Sequence, residues 1–330
     1  MAKFIIKRLL LTIPIILIVA VLIFTVMYFS STPDETAVYI AGTATSGDLL
    51  ESIKEAYGLN DSYLQRLGDF MYSMFIKFDL GTSWVVKTQI SSDIASRLPR
   101  TTGICIFSIL VSVFIGIPLG VTSAIHQDKA VDKVVLVGSS ILRCLPHFFI
   151  ALMFVLIFSV SLNWLPAFGI DQGIVSYVLP CASIMLVSLP LITRQMRASM
   201  LEVIRSDYVV AAQAQGFSDH TVYYKQALPN ALIPILTLLG TQFASGLGGT
   251  IIIETIFAIP GMGSYIQTGI NQHDFPIVTG SVTLLAIIFC IVMLLIDISY
   301  AIVDPRIRTQ YESNSKRERN KNMRRARANG

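Results

Sequence analysis

Little in this sequence is set out for covalent chemistry. The four cysteines, Cys105, Cys144, Cys181 and Cys290, each fall in or beside an apolar run and form no C-x-x-C pair. They read as small buried hydrophobes rather than disulfide partners or metal ligands. No G-x-x-x-x-G-K-[ST] phosphate loop is present, so no catalytic or ATP-binding residue is assigned. The residues that stand out are ionisable groups next to apolar runs. Arg143 and His147 stand four apart, which on a continuous helix puts two potential cations on one face, suited to an anionic group such as a carboxylate. The other reading has Arg143 at the end of a span, its head reaching toward water. Asp297 lies inside an apolar run and calls for a cationic partner, for which Arg143 and Arg194 are candidates. Glu254 closes another run, where it either touches a docked protein or fixes the Pro260-Gly261 turn.

The elements that must position these groups are set by hydropathy. The 330 residues are 53% hydrophobic and 14% charged, against roughly a quarter charged in a soluble domain. About 20 apolar residues span a bilayer as a helix. Six runs approach or exceed that length: 9–29, 101–125, 148–164 with a helical lead-in from 134, 174–193, 231–257 and 275–303. The first follows Lys3, Lys7 and Arg8, but it is too long for a signal-peptide core and no A-x-A site follows, so a retained helix is expected. The fold class expected is therefore an all-α polytopic membrane protein with six transmembrane helices. No repeat of 20–50 residues and no inverted pair of broken helices is evident.

Basic residues orient the spans, because short cytoplasmic loops accumulate Lys and Arg. With the N-terminus inside, 18 of the 25 Lys and Arg fall on the inner side, nine of them in the tail 306–330. The short outer loops 165–173 and 258–274 contain none. Both termini are expected to be cytoplasmic, in a bacterial inner membrane. Trp84 and Trp164 fall on the outer side, Trp164 as an interfacial anchor. The basic tail is suited to anionic lipid headgroups rather than to nucleic acid. The chain divides into 1–29 (N-terminus and first span), 30–100, 101–305 (the membrane core) and the tail 306–330. In 30–100, apolar pairs such as Leu49/Leu50, Tyr63/Leu64 and Phe70/Met71 recur at helical spacing, which predicts an ordered helical cap outside the membrane.

The inner loop 205–229 is the most informative stretch. Ser206 and Asp207 are N-cap types, and Tyr208 opens a helix-compatible segment with small residues at Ala211, Ala212 and Ala214. Gly216 suits a left-handed helix end, Ser218 caps a second short helix, and Pro229 is expected to end it. Connections within bundles usually run 2–8 residues. A much longer loop with ordered signals, lined by small side chains, is built to let a partner approach.

Ala211-Ala212, three residues, Gly216, then Leu228-Pro229 resembles the EAA loop of ATP-binding-cassette importer permeases. The wider likeness is to the B-type permease of dipeptide, oligopeptide and nickel importers, and it covers nearly the whole chain. It is carried also by Asp79-Leu-Gly-Thr-Ser83, Arg97-Leu-Pro-Arg-Thr, Gly116-Ile-Pro-Leu-Gly120, Trp164-Leu-Pro, the string from Glu254 to Gly263, and Asp304-Pro-Arg-Ile-Arg308. Two departures are Val210 in place of the motif's Glu, and charge-bearing residues at Arg143 and His147.

The resemblance implies a transport subunit without catalysis or cofactor of its own, with ATP and Mg bound by partner subunits. It implies a second homologous permease, two ATPase subunits and an extracytoplasmic substrate-binding protein as partners. On that resemblance, Asp207, Tyr208, Ala211, Ala212, Ala214 and Gly216 form the ATPase-coupling segment. From the residues themselves, and not from the resemblance, Arg143 and His147 are expected to line the translocation pathway, and Asp297 and Glu254 to serve as a structural ion pair or terminus. The alternative substrate class is nickel or a metal chelate. A stand-alone secondary transporter is the alternative of a different class, and the long ordered inner loop speaks against it, as it does against a receptor or anchor.

Overall fold

The computed structural model describes residues 2–42 and 46–303. The chain is 81% helical, and among the described residues the one β-type pairing is an isolated bridge between Thr82 and Gln89. The helices are α1 (Ala2–Ser30), α2 (Pro33–Ala41), α3 (Gly47–Ala56), α4 (Tyr63–Phe75), α5 (Ile90–Ile125), α6 (Ala130–Cys144) and α7 (His147–Phe154). They continue with α8 (Val178–Ile204), α9 (Asp207–Ala214), α10 (Leu228–Ala231), α11 (Ile233–Ile256), α12 (Met262–Asn271) and α13 (Phe275–Val303). Four are long and apolar enough to cross a membrane, or up to six spans form if two bent pairs each count as one. The protein is thus an all-α polytopic membrane protein.

The centre is α5 packed along α8. Gly116 and Gly120, one turn apart, let the backbones meet: a methyl group added at Gly120 would lie 2.6 Å from the Thr193 carbonyl oxygen and from Met196 Cβ, and one at Gly116 would lie 2.9 Å from Ile192 Cγ2. Small residues spaced by four are how membrane helices approach closely, since packing rather than expulsion of water drives their association. The most apolar windows of α5 and α8 are each 44% buried, whereas those of α1 and α13 are 11% and 17% buried. So α5 and α8 form the inside of the bundle, and the α1–α13 pair forms its flank.

Several boundaries differ from the expected ones. Helix α5 starts at Ile90 and runs through Pro99, whose ring faces outward. Helix α8 continues past 193 to Ile204, so Arg194 and Arg197 are helical residues rather than loop residues. The third run is not one straight helix. α6 and α7 meet at 95°, because Leu145 precedes Pro146 and is held in the extended region at φ −81°, ψ 126°. Beyond α7 the chain widens into a π-helical turn, Val155–Ser161. Pro229 does not end a helix either. The π-helical turn Thr221–Ala227 leads into α10, where Pro229 sits near the start, a position needing no amide donor. The bend comes after α10, at 47°.

Helices α2–α4 gather where α1 ends and α13 begins, within the segment expected to be a helical cap. A capping box starts α2: the Thr32 amide donates to Glu35 Oε2 at 2.9 Å and the Glu35 amide donates to Thr32 Oγ1 at 3.3 Å. Phe24, Met27, Phe275 and Val278 form a buried cluster, and Thr25 Oγ1 lies 2.7 Å from Tyr63 Oη, joining α1 to α4. The chain before α5 is pinned to the α12–α13 turn by Asp274, which accepts from Ser83 Oγ at 2.5 Å and the Val85 amide at 3.0 Å. All four cysteines are free; Cys105, Cys181 and Cys290 are buried and Cys144 is exposed. Asp304 and the basic tail lie outside the described residues.

Candidate functional site

At the opposite end from the cap, the chain leaves α8 at Arg205 and turns at once into α9. Ser206 occupies the N-cap with extended dihedrals, φ −76°, ψ 148°. Its hydroxyl donates back to the Val203 carbonyl at 2.6 Å rather than capping an α9 amide. The helix ends after two turns, and Gly216 adopts φ +81°, with its amide donating to the Gln213 carbonyl at 3.0 Å. A left-handed turn there is what glycine permits at least cost. The Ser218 backbone carbonyl accepts the Val222 amide at 3.0 Å, which starts the second short element, while its hydroxyl lies 3.0 Å from Thr221 Oγ1. Asn230 Nδ2 donates to Tyr208 Oη at 2.8 Å and ties α9 to α10.

The two faces of α9 differ. Val209 and Ala212 are buried in a cluster with Val121, Ala124, Met196 and Met200, supplied by the ends of α5 and α8. Ala212 is therefore packed inside this chain and offers no surface to a partner, contrary to its expected place in the coupling segment. The physical reason is its three-residue offset from Val209, which puts both on one face. Asp207, Tyr208, Val210, Ala211, Ala214 and Gly216 are exposed. The outward face thus combines small and apolar groups, Val210, Ala211 and Ala214, with the polar Asp207, Tyr208 and Gln213, and Phe217 is 48% exposed beside it.

Beneath α9 lies a polar clamp that sequence reasoning missed. Asp132, near the start of α6, is 1% exposed. Its Oδ1 accepts from Ser123 Oγ at 2.5 Å and Arg197 Nε at 2.6 Å. Its Oδ2 accepts from the Asp128 amide at 2.9 Å and an Arg197 terminal nitrogen at 2.6 Å. The two oxygens together take four donors, and the fork of Arg197 meets the carboxylate side-on. α5, α6 and α8 are joined at this point. The partners are 65 residues apart, so no local spacing announces the pair.

The remaining predicted residues are placed as follows. Arg143 ends α6 and His147 starts α7; both are exposed, and the break at Leu145-Pro146 separates them. They do not share a helical face, because proline imposes extended backbone on the residue before it. Asp297 pairs with Arg8 of α1 at 2.8 Å, not with Arg143 or Arg194, and so fastens α13 to α1. Arg194 instead donates to Ser140 Oγ. Glu254 is fully buried. It accepts from Thr101 Oγ1 at 2.6 Å and the Ser264 amide at 2.9 Å, while Thr101 accepts the Met262 amide at 2.8 Å. Arg100 donates to the Pro260 carbonyl at 3.0 Å. A methyl group at Gly261 would lie 2.4 Å from the Glu254 carboxylate. Glu254 fixes this turn and is not a surface contact.

Comparison with known proteins follows the same lines. Residues 116–309 match the model of the binding-protein-dependent transport system inner membrane component, and residues 1–105 match the N-terminal model of such membrane components. A putative peptide transport system permease protein of Brucella abortus is 34% identical over 315 residues, covering 93% of this chain and 99% of that protein. The dipeptide transport system permease protein DppB of Alkalihalophilus pseudofirmus is 34% identical over 339 residues, covering 93% of this chain and 100% of that protein. The oligopeptide transport system permease protein AppB of Bacillus subtilis is 33% identical over 321 residues, covering 93% of this chain and 99% of that protein. Among solved structures, an inward-facing MetNI methionine ABC transporter chain aligns with TM-score 0.54 at 18% identity, covering 64% of this chain and 96% of that chain. That last likeness concerns the fold.

Proposed function

This chain belongs to the family of binding-protein-dependent transport system inner membrane components, and on that premise we propose that it is the membrane-spanning permease subunit of an ATP-driven peptide importer. The peptide assignment follows the relatives, which carry peptide, dipeptide and oligopeptide transport in their names. The observation that carries the mechanism is the two-faced α9. One face is locked into the ends of α5 and α8, and the other is exposed, with small side chains at Ala211 and Ala214. A partner that closes on the outer face moves α9 and, through its packing, the central helices.

In this reading α9 is cytoplasmic and seats in an ATPase subunit through Asp207, Tyr208, Ala211, Ala214 and Gly216, with Val210 filling the place of the family's Glu. ATP and Mg2+ are bound by the ATPase subunits. A second, homologous permease completes the pathway and a binding protein delivers substrate to the outer face, where α2–α4 form the extracytoplasmic cap. Each bent pair makes one span, so six spans leave both termini inside. Arg143 and His147 serve this pathway separately, one at each side of the α6–α7 bend.

The test is co-purification of the tagged full chain with its partners, with Ala211→Glu as the probe. Ala211 is exposed, so a charge there leaves the fold intact but is desolvated on docking, which costs several kcal/mol if unpaired. Loss of ATPase subunits from the complex, with normal membrane insertion, is expected. Retention of the ATPases together with wild-type ATP-dependent peptide uptake refutes the coupling role.

A further inference from the structure

A cavity of about 250 Å3 opens between α4 and the facing ends of α1 and α13. Its walls include Arg66, Asp61, Asp69, Trp84 and Phe275. The Arg66 guanidinium carbon lies 5.2 Å from the Tyr28 ring centre, 5.9 Å from that of Trp84 and 5.1 Å from that of Phe275. Trp84 and Phe275 are themselves stacked, with centres 5.6 Å apart and planes 15° from parallel. Three rings thus hold the cation by its faces. Among the described residues its N–H groups make no hydrogen bond, and the Asp61 carboxylate acts on it from beyond direct ion-pair distance. The carboxylates of Asp61 and Asp69 likewise lack a hydrogen-bond donor among the described residues, although both line the same space.

We propose that this cavity binds the headgroup of a zwitterionic phospholipid of the phosphoethanolamine class. A guanidinium presents a planar fork of donors that matches a phosphate. Two carboxylates on the same wall match an ammonium a few bonds away and disfavour a purely anionic headgroup. The place selects a lipid over a soluble ion. The cavity stands at the head of the α1–α13 flank, the least buried spans of the bundle at 11% and 17%. Deeper along α1 than Phe24, which lines the cavity, Ile15, Ile18 and Leu22 are 50%, 63% and 59% exposed, an apolar surface on which acyl chains can lie.

Trp84 reports directly on occupancy once Trp164, the second tryptophan of the chain, is replaced by Phe. The full chain, labelled with 5-fluorotryptophan, assembled with unlabelled partners and stripped of lipid, is titrated in detergent with phosphatidylethanolamine, phosphatidylglycerol and soluble phosphoethanolamine while the fluorine resonance of Trp84 is followed. Saturable binding of phosphatidylethanolamine is expected, with phosphatidylglycerol weaker. Arg66→Gln should weaken it by about tenfold or more, as loss of a charge-assisted contact does. Asp69→Asn, at an exposed position, should narrow the preference between the two lipids and leave folding unchanged. If Arg66→Gln fails to assemble, Arg66→Lys keeps the charge but loses the fork and should still weaken binding. Equal saturation by both lipids, unchanged in Arg66→Gln or Arg66→Lys and in Asp69→Asn, overturns the site. Soluble phosphoethanolamine binding as tightly as the lipid overturns the lipid assignment.

Discussion

Replacing Asp132 by Asn tests whether the clamp below α9 holds the bundle end together. The change keeps shape and volume and removes one charge. Both oxygens of the native carboxylate take two donors each: Ser123 Oγ and Arg197 Nε on one, the Asp128 amide and the second Arg197 nitrogen on the other. An amide has one oxygen, so in either orientation its NH2 faces two donors. Each buried donor left without an acceptor costs about 1–3 kcal/mol, and breaking a buried pair from one side costs about 3–5 kcal/mol. The Arg197 side chain retains 19% exposure and can turn partly toward water, which points to the lower end, about 3 kcal/mol, or some two decades in the unfolding equilibrium. Equilibrium unfolding in mixed micelles measures it. The double replacement Asp132→Leu with Arg197→Met removes both charges and should recover most of the loss, because well-packed apolar pairs substitute for buried ion pairs at little net cost. If Asp132→Asn unfolds within about 0.5 kcal/mol of wild type, the four-donor clamp contributes nothing and the reasoning fails.

Other expectations follow from the same geometry. A Cβ at position 216 meets no atom within 4 Å, so the effect of Gly216→Val is chiefly conformational. A β-branched residue at φ +81° costs about 1–2 kcal/mol and should tilt α9, seen as normal membrane insertion with ATP hydrolysis uncoupled from uptake. Ala212→Glu buries a charge in the chain's own packing and should reduce the amount of folded protein, unlike the exposed Ala211→Glu; size-exclusion profiles separate the two. Gly120→Ala drives a methyl into the Thr193 carbonyl and should cost about 1–3 kcal/mol, read in the same micelle unfolding assay. A single cysteine at position 218, in a chain otherwise free of cysteine, should be labelled by an impermeant reagent only after the membrane is opened from inside; labelling on intact cells reverses the proposed orientation.

Much of this arrangement was legible in the residues. Apolar length alone locates the bodies of α1, α5, α8, α11 and α13, and the Ser206 N-cap and the left-handed Gly216 follow from residue type. What escaped has physical causes. The 95° break falls at Leu145-Pro146, between the helical lead-in and the apolar run 148–164, and hydropathy is blind to direction. The inward turn of Ala212 escaped because alanines on both sides of α9 give no amphipathic contrast. The Asp132–Arg197 clamp and the Asp297–Arg8 pair are long-range choices among several cations, decided only once the helices are packed. Gly116 and Gly120 carry a spacing that signals close helix contact, and α5 meets α8 at those two positions.

The turn around Glu254 has a consequence for how this chain can vary. The Glu254 carboxylate occupies the room that any side chain at Gly261 would need, while the Thr101 hydroxyl and the Ser264 amide hold that carboxylate in place. Residues in such contact are not free to mutate independently. A lineage that first enlarges position 261 passes through a clash between a side chain and a fixed carboxylate. One that first shortens position 254 opens a space and leaves the Ser264 amide to find a new acceptor. The order of steps is therefore prescribed, and positions 254 and 261 form one epistatic unit in which the larger residue moves first.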